Sequence, residues 1–176
     1  DENKYPSTNI RMEIFIKHIQ LIKSLGYEFI DPIEFQNNFN SPKKQKKILL
    51  TVDDAFKSFY EVAWPYLNKN KIPFILFVST EPVGNNGYMT WDEIKEIENE
   101  KFTMIGHHSH THEYLIEKSN QEFIEDIEKA NQIFKSKLGY IPTLFSYPFG
   151  EYSEFMRNYI SKNFTLAFGQ HSGVID

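Results

Sequence analysis

The sequence predicts an α/β fold of parallel βαβ units, forming a small, distorted or incomplete (β/α) barrel. Three observations carry that expectation. Strand-like apolar runs alternate with helical stripes along most of the chain. The 176 residues fall short of the roughly 250 that a full eight-unit barrel takes, so an open or partly closed sheet is expected. Three polar clusters follow directly on three predicted strands, as side chains do at the C-terminal face of parallel α/β sheets.

The elements follow in order. Residues 10–25 read as a helix with Ile14, His18, Leu21, Ile22 and Leu25 on one stripe, which makes His18 a boundary or core histidine. Asp31, Pro32 and Glu34 are an N-cap, a first-turn proline and a capping-box acid, so a short helix follows. Residues 36–47 are rich in Asn and Lys, and Lys43, Lys44, Lys46 and Lys47 read as a solvated loop. Ile48 to Val52 is an apolar run of buried-strand type. A helix from about Phe56 to Leu67 is interrupted or restarted at Pro65. Residues 72–78 form the next strand, and Thr90 with Glu93 is a capping box that opens a helix to about Glu98. Phe102 to Ile105 is a short strand. Ser119 with Glu122 is another capping box, opening a helix with Phe123, Ile127, Ala130 and Phe134 on its apolar stripe and Gly139 at its C-cap. Thr143 to Tyr147 is a strand, 151–162 a helix and Phe164 to Phe168 a last strand. No repeat or long linker divides the chain, so 1–176 reads as a single domain, trimmed at one or both ends because it opens at Asp1 without Met.

Composition narrows the function classes. At 40% hydrophobic and 24% charged residues, the chain is an ordinary globular one. The absence of Cys excludes disulfides and thiolate metal sites. A net charge of −5 lacks the basic footprint of a nucleic-acid binder, so no nucleic-acid partner is expected. No run approaches the roughly 18 apolar residues of a spanning helix, so no transmembrane segment is expected. The 16 Phe and 10 Tyr serve either a Phe-rich core or a sugar-stacking cleft. Trp91 reads equally as a helix-start packing residue or a sugar platform.

The polar clusters carry the chemistry. His107 to His112 holds four of the six histidines. Two imidazoles with one carboxylate can hold a divalent ion and leave a position open for water, and a polar loop is the alternative. His108 and His112 are four apart, so one helical turn would set them about 5–6 Å from each other. Asp53-Asp54 ends an apolar strand; one carboxylate can hold metal while its neighbour works as a base, or one can simply cap a helix. Pro148-Phe149-Gly150 follows the strand at 143–147.

These residues resemble the NodB-homology polysaccharide deacetylases, carbohydrate esterase family 4. Thr51-Val52-Asp53-Asp54 is similar to the family's Thr-Phe-Asp-Asp-Gly, His108-Ser109-x-x-His112 to its His-Ser/Thr-x-x-His, and Ser146-Tyr147-Pro148-Phe149-Gly150 to its Arg-x-Pro-Phe/Tyr-Gly. The resemblance covers about residues 5–175 and implies a distorted (β/α) barrel. It also implies a divalent metal held by Asp54, His108 and His112: zinc, with cobalt, nickel or iron as alternatives. Asp53 is then the base, and the Phe149 backbone N–H the oxyanion donor. The implied reaction removes N-acetyl groups from an N-acetylglucosamine-containing polysaccharide, outside the cytoplasm.

Three departures stand out. Ala55 occupies the usual Gly position, so the turn after Asp54 is expected to avoid positive φ. Ser146 replaces the Arg that orients the catalytic Asp in the family. The late Leu-x-His is not met by Leu166-Ala167-Phe168, which leaves His171 as candidate proton donor or as a plain loop residue. The competing readings are a metal-binding but inactive carbohydrate-binding relative, and an amidase acting on a small non-sugar amide.

Overall fold

The computed structural model describes residues 9–39 and 46–171. Five strands form one parallel sheet in strict chain order: β3 (Thr51–Val52), β4 (Phe74–Val78), β5 (Thr103–His107), β6 (Leu144–Ser146) and β7 (Leu166–Phe168). Two shorter strands, β1 (Glu28–Phe29) and β2 (Lys47–Ile48), pair in parallel as a separate ribbon. Parallel neighbours in unbroken order need crossovers of one hand, which keeps the helices on one face and curls the sheet into a half-barrel.

Side-chain parity shows the two faces. In β4, Phe74, Leu76 and Val78 pack outward against Trp64, Leu67, Ile94, Ile97 and Phe134. Those residues belong to the helices α3 (Trp64–Lys69), α4 (Trp91–Glu98) and α5 (Asn120–Leu138). The alternate residues Ile75 and Phe77 point inward and meet Leu144, with Leu49, Met104, Leu166 and Phe168 around them. The inner layer is therefore built from strand residues and their flanks, as in a barrel. Gly106 of β5 faces Phe77 so closely that an added Cβ would sit 2.3 Å from the ring. A buried side chain of this size contributes about 1.5–3 kcal/mol, so Gly106 is the residue that admits Phe77 to the interior.

Local sequence signals set most helix ends. Both capping boxes form: Thr90 and Ser119 accept from the N3 backbone N–H, and Glu93 and Glu122 reach back. Gly139 ends α5 in the left-handed region at φ 87°. Asp31 caps α2 (Pro32–Asn38) by accepting from Ile33 and Glu34 N–H. Glu34 itself pairs with Lys47 of β2. Ser153 caps α6 (Glu154–Asn163). Trp91 is half-buried and packs edge-on against Phe134, 5.9 Å away, which makes it a packing residue.

Four expectations are corrected. The first helix, α1 (Met12–Ser24), turns a different face inward: Ile19 is buried, whereas Ile14, Leu21, Leu25 and His18 are exposed. The inward face is the stripe of Met12, Phe15, Ile16, Ile19 and Ile22 at helical spacing, with Phe15 packing on the core, and not the stripe through Ile14, His18 and Leu21. The single strand expected at 48–52 is broken into β2 and β3, which belong to different sheets. The helix before α3 widens into a π-turn at Phe59–Ala63, where Trp64 N–H bonds Phe59 O. Pro65 has no N–H and its ring crowds the carbonyl four residues back, which favours the wider turn. Ala55 adopts φ 53° and Asp54 φ 72°, so the turn takes positive φ without glycine. Of the lysine cluster, Lys43 and Lys44 lie outside the described residues, while Lys46 donates to Leu25 O at 3.0 Å. Among the described residues no helix is long and apolar enough to cross a membrane.

Candidate metal centre

The C-terminal ends of β3, β5 and β6 bring the three polar clusters together. Asp54 Oδ1 lies 3.0 Å from His112 Nε2 and 3.5 Å from His108 Nε2. One ligand atom from each of Asp54, His108 and His112 falls within 4.8 Å of the others. Ligands about 2.0–2.1 Å from a tetrahedral ion are about 3.3 Å apart, so the two measured separations bracket what a divalent ion requires. The residues fit the group the sequence implies. Asp53 accepts from Ser146 Oγ at 3.4 Å, a long contact that stands where an arginine was missed.

The ligand histidines are not presented by a helical turn, which corrects that expectation. They sit on an irregular segment whose folding depends on Ser109 at φ 70° and His112 at φ 57°, with ring centroids 4.9 Å apart. Strand parity divides the histidines. His107 is the last residue of β5 and points outward, packed against Phe134, Phe145 and Phe164. Burial, with the neighbouring His108 second, pushes its pKa down to about 3, so it is a neutral core residue. His108, the next residue, points to the opposite side and reaches Asp54. Its Nδ1 lies 2.7 Å from the Ser146 carbonyl, which accepts the Nδ1 proton and leaves Nε2 as a lone-pair donor.

The charge states fit this arrangement. Burial alone would raise Asp54, but hydrogen bonds from His108 and His112 outweigh it and hold the carboxyl well below its usual range. Asp53 has the opposite balance: burial dominates and raises it, with His108 opposing and Asp54 adding to the rise. Two adjacent acids are thus pushed apart, one a firm anion and one with a higher proton affinity.

Several residues that sequence reasoning missed support the histidine segment. Asp126 of α5 is buried and accepts from His110 N–H at 2.7 Å, Thr111 N–H at 3.0 Å and Thr111 Oγ1 at 2.7 Å. The available signal was an acid within the stripe between Phe123 and Ile127. Ser79 donates to His108 O at 2.6 Å, and Thr80 Oγ1 meets His110 Nδ1 at 2.8 Å. Ser109 Oγ accepts from His112 N–H at 3.2 Å.

A cleft of about 780 Å³ opens over the cluster. Asp53, Asp54, His108, His112, Phe149 and Gln170 line its polar end, and Phe15, Phe56, Phe59 and Val62 line its apolar side. The aromatic surplus is divided between the core, where Phe74, Phe77, Phe123, Phe134 and Phe145 are fully buried, and the wall of this cleft. Phe149 holds φ 59° and packs its ring 4.9 Å from His112 and 5.5 Å from Tyr114. His171 is not brought to this cleft. It is exposed and lines a neighbouring cavity, one residue past Gln170.

Comparison with known proteins agrees with the fold. The family model for polysaccharide deacetylase matches residues 40–165. YxkH of Bacillus subtilis (strain 168), whose name places it among the polysaccharide deacetylases, is 25% identical over 150 residues, covering 84% of this chain and 53% of its own length. The poly-β-1,6-N-acetyl-D-glucosamine N-deacetylase of Staphylococcus aureus (strain MSSA476) is 26% identical over 150 residues, covering 77% of this chain and 52% of its own. The chain thus spans about half the length of the curated relatives it matches. Among solved structures, the Streptococcus pyogenes deacetylase PplD in complex with acetate superposes with TM-score 0.82 at 23% identity, over 97% of this chain and 79% of that one. IcaB from Ammonifex degensii superposes with TM-score 0.81 at 25% identity, over 88% of this chain and 73% of that one. With the family model covering most of its length, this chain belongs to the polysaccharide deacetylase family.

Proposed function

We propose that this domain is a metal-dependent hydrolase that removes N-acetyl groups from an N-acetylglucosamine-containing polysaccharide. The observation that carries the reading is the cluster of Asp54, His108 and His112 with Asp53 beside it at the floor of an aromatic-sided cleft. The Staphylococcus aureus relative supports a β-1,6-linked polymer as the first substrate to try. A polymer of that kind is met outside the cytoplasm, which is the location that follows.

Asp54, His108 and His112 would hold the divalent ion, with zinc the first choice and cobalt, nickel or iron able to substitute. When bound, the ion supplies a Lewis acid for the acetamide carbonyl and lowers the pKa of water. Asp53 takes the proton of the attacking water, and its buried carboxyl suits that role. The Phe149 backbone N–H stabilises the negative charge that develops on the acetyl carbonyl oxygen as water adds to the carbon. The leaving nitrogen must be protonated as the C–N bond breaks. Asp53, protonated by the preceding step, lies in the cleft to return that proton, whereas His171 would have to move from the adjacent cavity to compete with it. Acetate and a free amine are the products.

Acetate release from a β-1,6-linked N-acetylglucosamine oligomer tests the reading. Release by the native protein and its loss in Asp53→Asn is the expected result. Binding without release would make this an inactive glycan-binding relative. Release from small non-sugar amides alone would make it a different amidase.

A further inference from the structure

A second cavity of about 260 Å³ lies beside the metal cleft, lined by Tyr147, Tyr152, Arg157, Ala167, Gly169 and His171. The two cavities share a wall. Phe149 and Gln170 face the cleft, while Tyr147 and His171, from the same two segments, face the second cavity. Those segments touch at Gly150, whose added Cβ would sit 2.6 Å from Gln170 N, so the partition is fixed by backbone contact.

The chemistry of this cavity is that of an unfilled acceptor site. Tyr147 is 3% exposed and lines the cavity, where its hydroxyl makes no side-chain hydrogen bond to another described residue. Burial, then Tyr152, push its pKa up to about 12 against the effect of Arg157, so it remains a proton donor at neutral pH. Arg157 is one of only two arginines, and no carboxylate pairs with it among the described residues. Among the described residues no carboxylate lines the cavity, in a chain of net charge −5. The rings of Tyr147 and Tyr152 lie 4.7 Å apart at 31°, leaving an aromatic flank beside the guanidinium. A guanidinium and a phenol that both lack acceptors, beside ring faces, match an oxyanion carried on a sugar.

We propose that this cavity is a subsite for a carboxylate or phosphate borne by a sugar next to the one that loses its acetyl group. The inference rests on the deacetylase reading for its position along the glycan, but the cavity's preference for an oxyanion can be measured without turnover.

The experiment compares two N-acetylglucosamine oligomers that differ only by a carboxylate on the sugar adjacent to the N-acetylated one. Equilibrium binding of both is measured on the full, metal-loaded chain carrying Asp53→Asn, and KM is measured on the native chain. The expected result is about tenfold tighter binding of the acidic oligomer, equivalent to about 1.4 kcal/mol. Arg157→Gln should abolish the ratio, Tyr147→Phe should reduce it, and added salt should shrink it. Equal binding of the two oligomers, or a ratio that survives Arg157→Gln, would overturn the subsite. Binding of free acetate or inorganic phosphate at Arg157 without discrimination between the oligomers would overturn its assignment to the glycan. If neither oligomer releases acetate from the native chain, the deacetylase reading fails, while the binding ratio still decides the subsite.

Discussion

Two loops supply the side chains of the candidate metal centre, and they are held in different ways. After β3, Asp54 and Ala55 both occupy the left-handed region, at φ 72° and 53°. Side-chain contacts there are the pairs of Asp54 with His112 and His108 and a long 3.4 Å contact from Ser146 to Asp53, while the turn itself is fixed by the buried Ala55, the bonds from Met89 N–H to Ala55 O and Lys57 N–H to Gly87 O, and the Phe56–Tyr88 bridge. After β5, Ser109 and His112 also take positive φ, but Asp126, Ser79, Thr80 and the Ser146 carbonyl hold that segment through short buried bonds. Each non-glycine residue in that region costs about 1–2 kcal/mol. The contrast teaches that the histidine loop is preorganised by partners, whereas the acid loop is preorganised by packing around a strained backbone.

The largest effect should come from the acid loop, because it carries Asp53, the proposed base. Asp53→Asn should lower acetate release by about 10²–10⁴-fold with bound metal unchanged, read by kinetics and elemental analysis side by side. Asp54→Asn should instead lower metal content. Similar metal loss in both variants would erase the division of labour between the two acids.

Next in size is the support behind the histidine loop. Asp126→Asn keeps the shape but weakens acceptance from His110 and Thr111, so metal affinity should fall by about 10–100-fold. Isothermal titration measures this, with thermal unfolding as the control. A drop in melting temperature without a change in affinity would show that Asp126 stabilises the fold but does not shape the site.

Ser146→Ala removes only a long contact to Asp53 and leaves the Ser146 carbonyl on His108. A few-fold fall in kcat is expected, well below the loss in Asp53→Asn. A loss as large as that one would mean that Ser146 has taken over the orienting role of the missing arginine.

The smallest effect should be Ala55→Gly. Relief of the left-handed cost is offset by lost methyl burial and by a freer unfolded chain, so stability should shift by no more than about 1 kcal/mol. Ser109→Gly, by contrast, should destabilise, because it also removes the acceptor for His112 N–H. Chemical denaturation of the pair tests whether the two loops differ as described.

What could be read from sequence follows the same division. Capping boxes at Thr90 and Ser119, Gly139 and the apolar β4 are local signals, and each formed as read. The metal cluster was legible because strand ends in a parallel sheet share one face, so separate polar clusters had to converge. The face of α1 was legible in the spacing of Met12, Phe15, Ile16, Ile19 and Ile22, but Ile14, Leu21 and Leu25 offered a second apolar stripe that competed with it. The break between β2 and β3 was not legible, since it depends on two sheets competing for one apolar run. The positive φ at Asp54 and Ala55 overrides local preference through tertiary contacts, as strained backbone at functional sites does. Asp126 acts across long sequence separation from α5, and only its place in an apolar stripe hinted at it.

If Asp54, His108 and His112 form a single metal centre, catalysis depends on its occupancy. Acetate release from a β-1,6-linked N-acetylglucosamine oligomer, measured as zinc is returned stepwise to chelator-stripped protein, tests it most directly. The account predicts no release at the start and a rise that levels off at about one equivalent of zinc per chain. Full activity in the stripped protein, with no response to added metal, would contradict it.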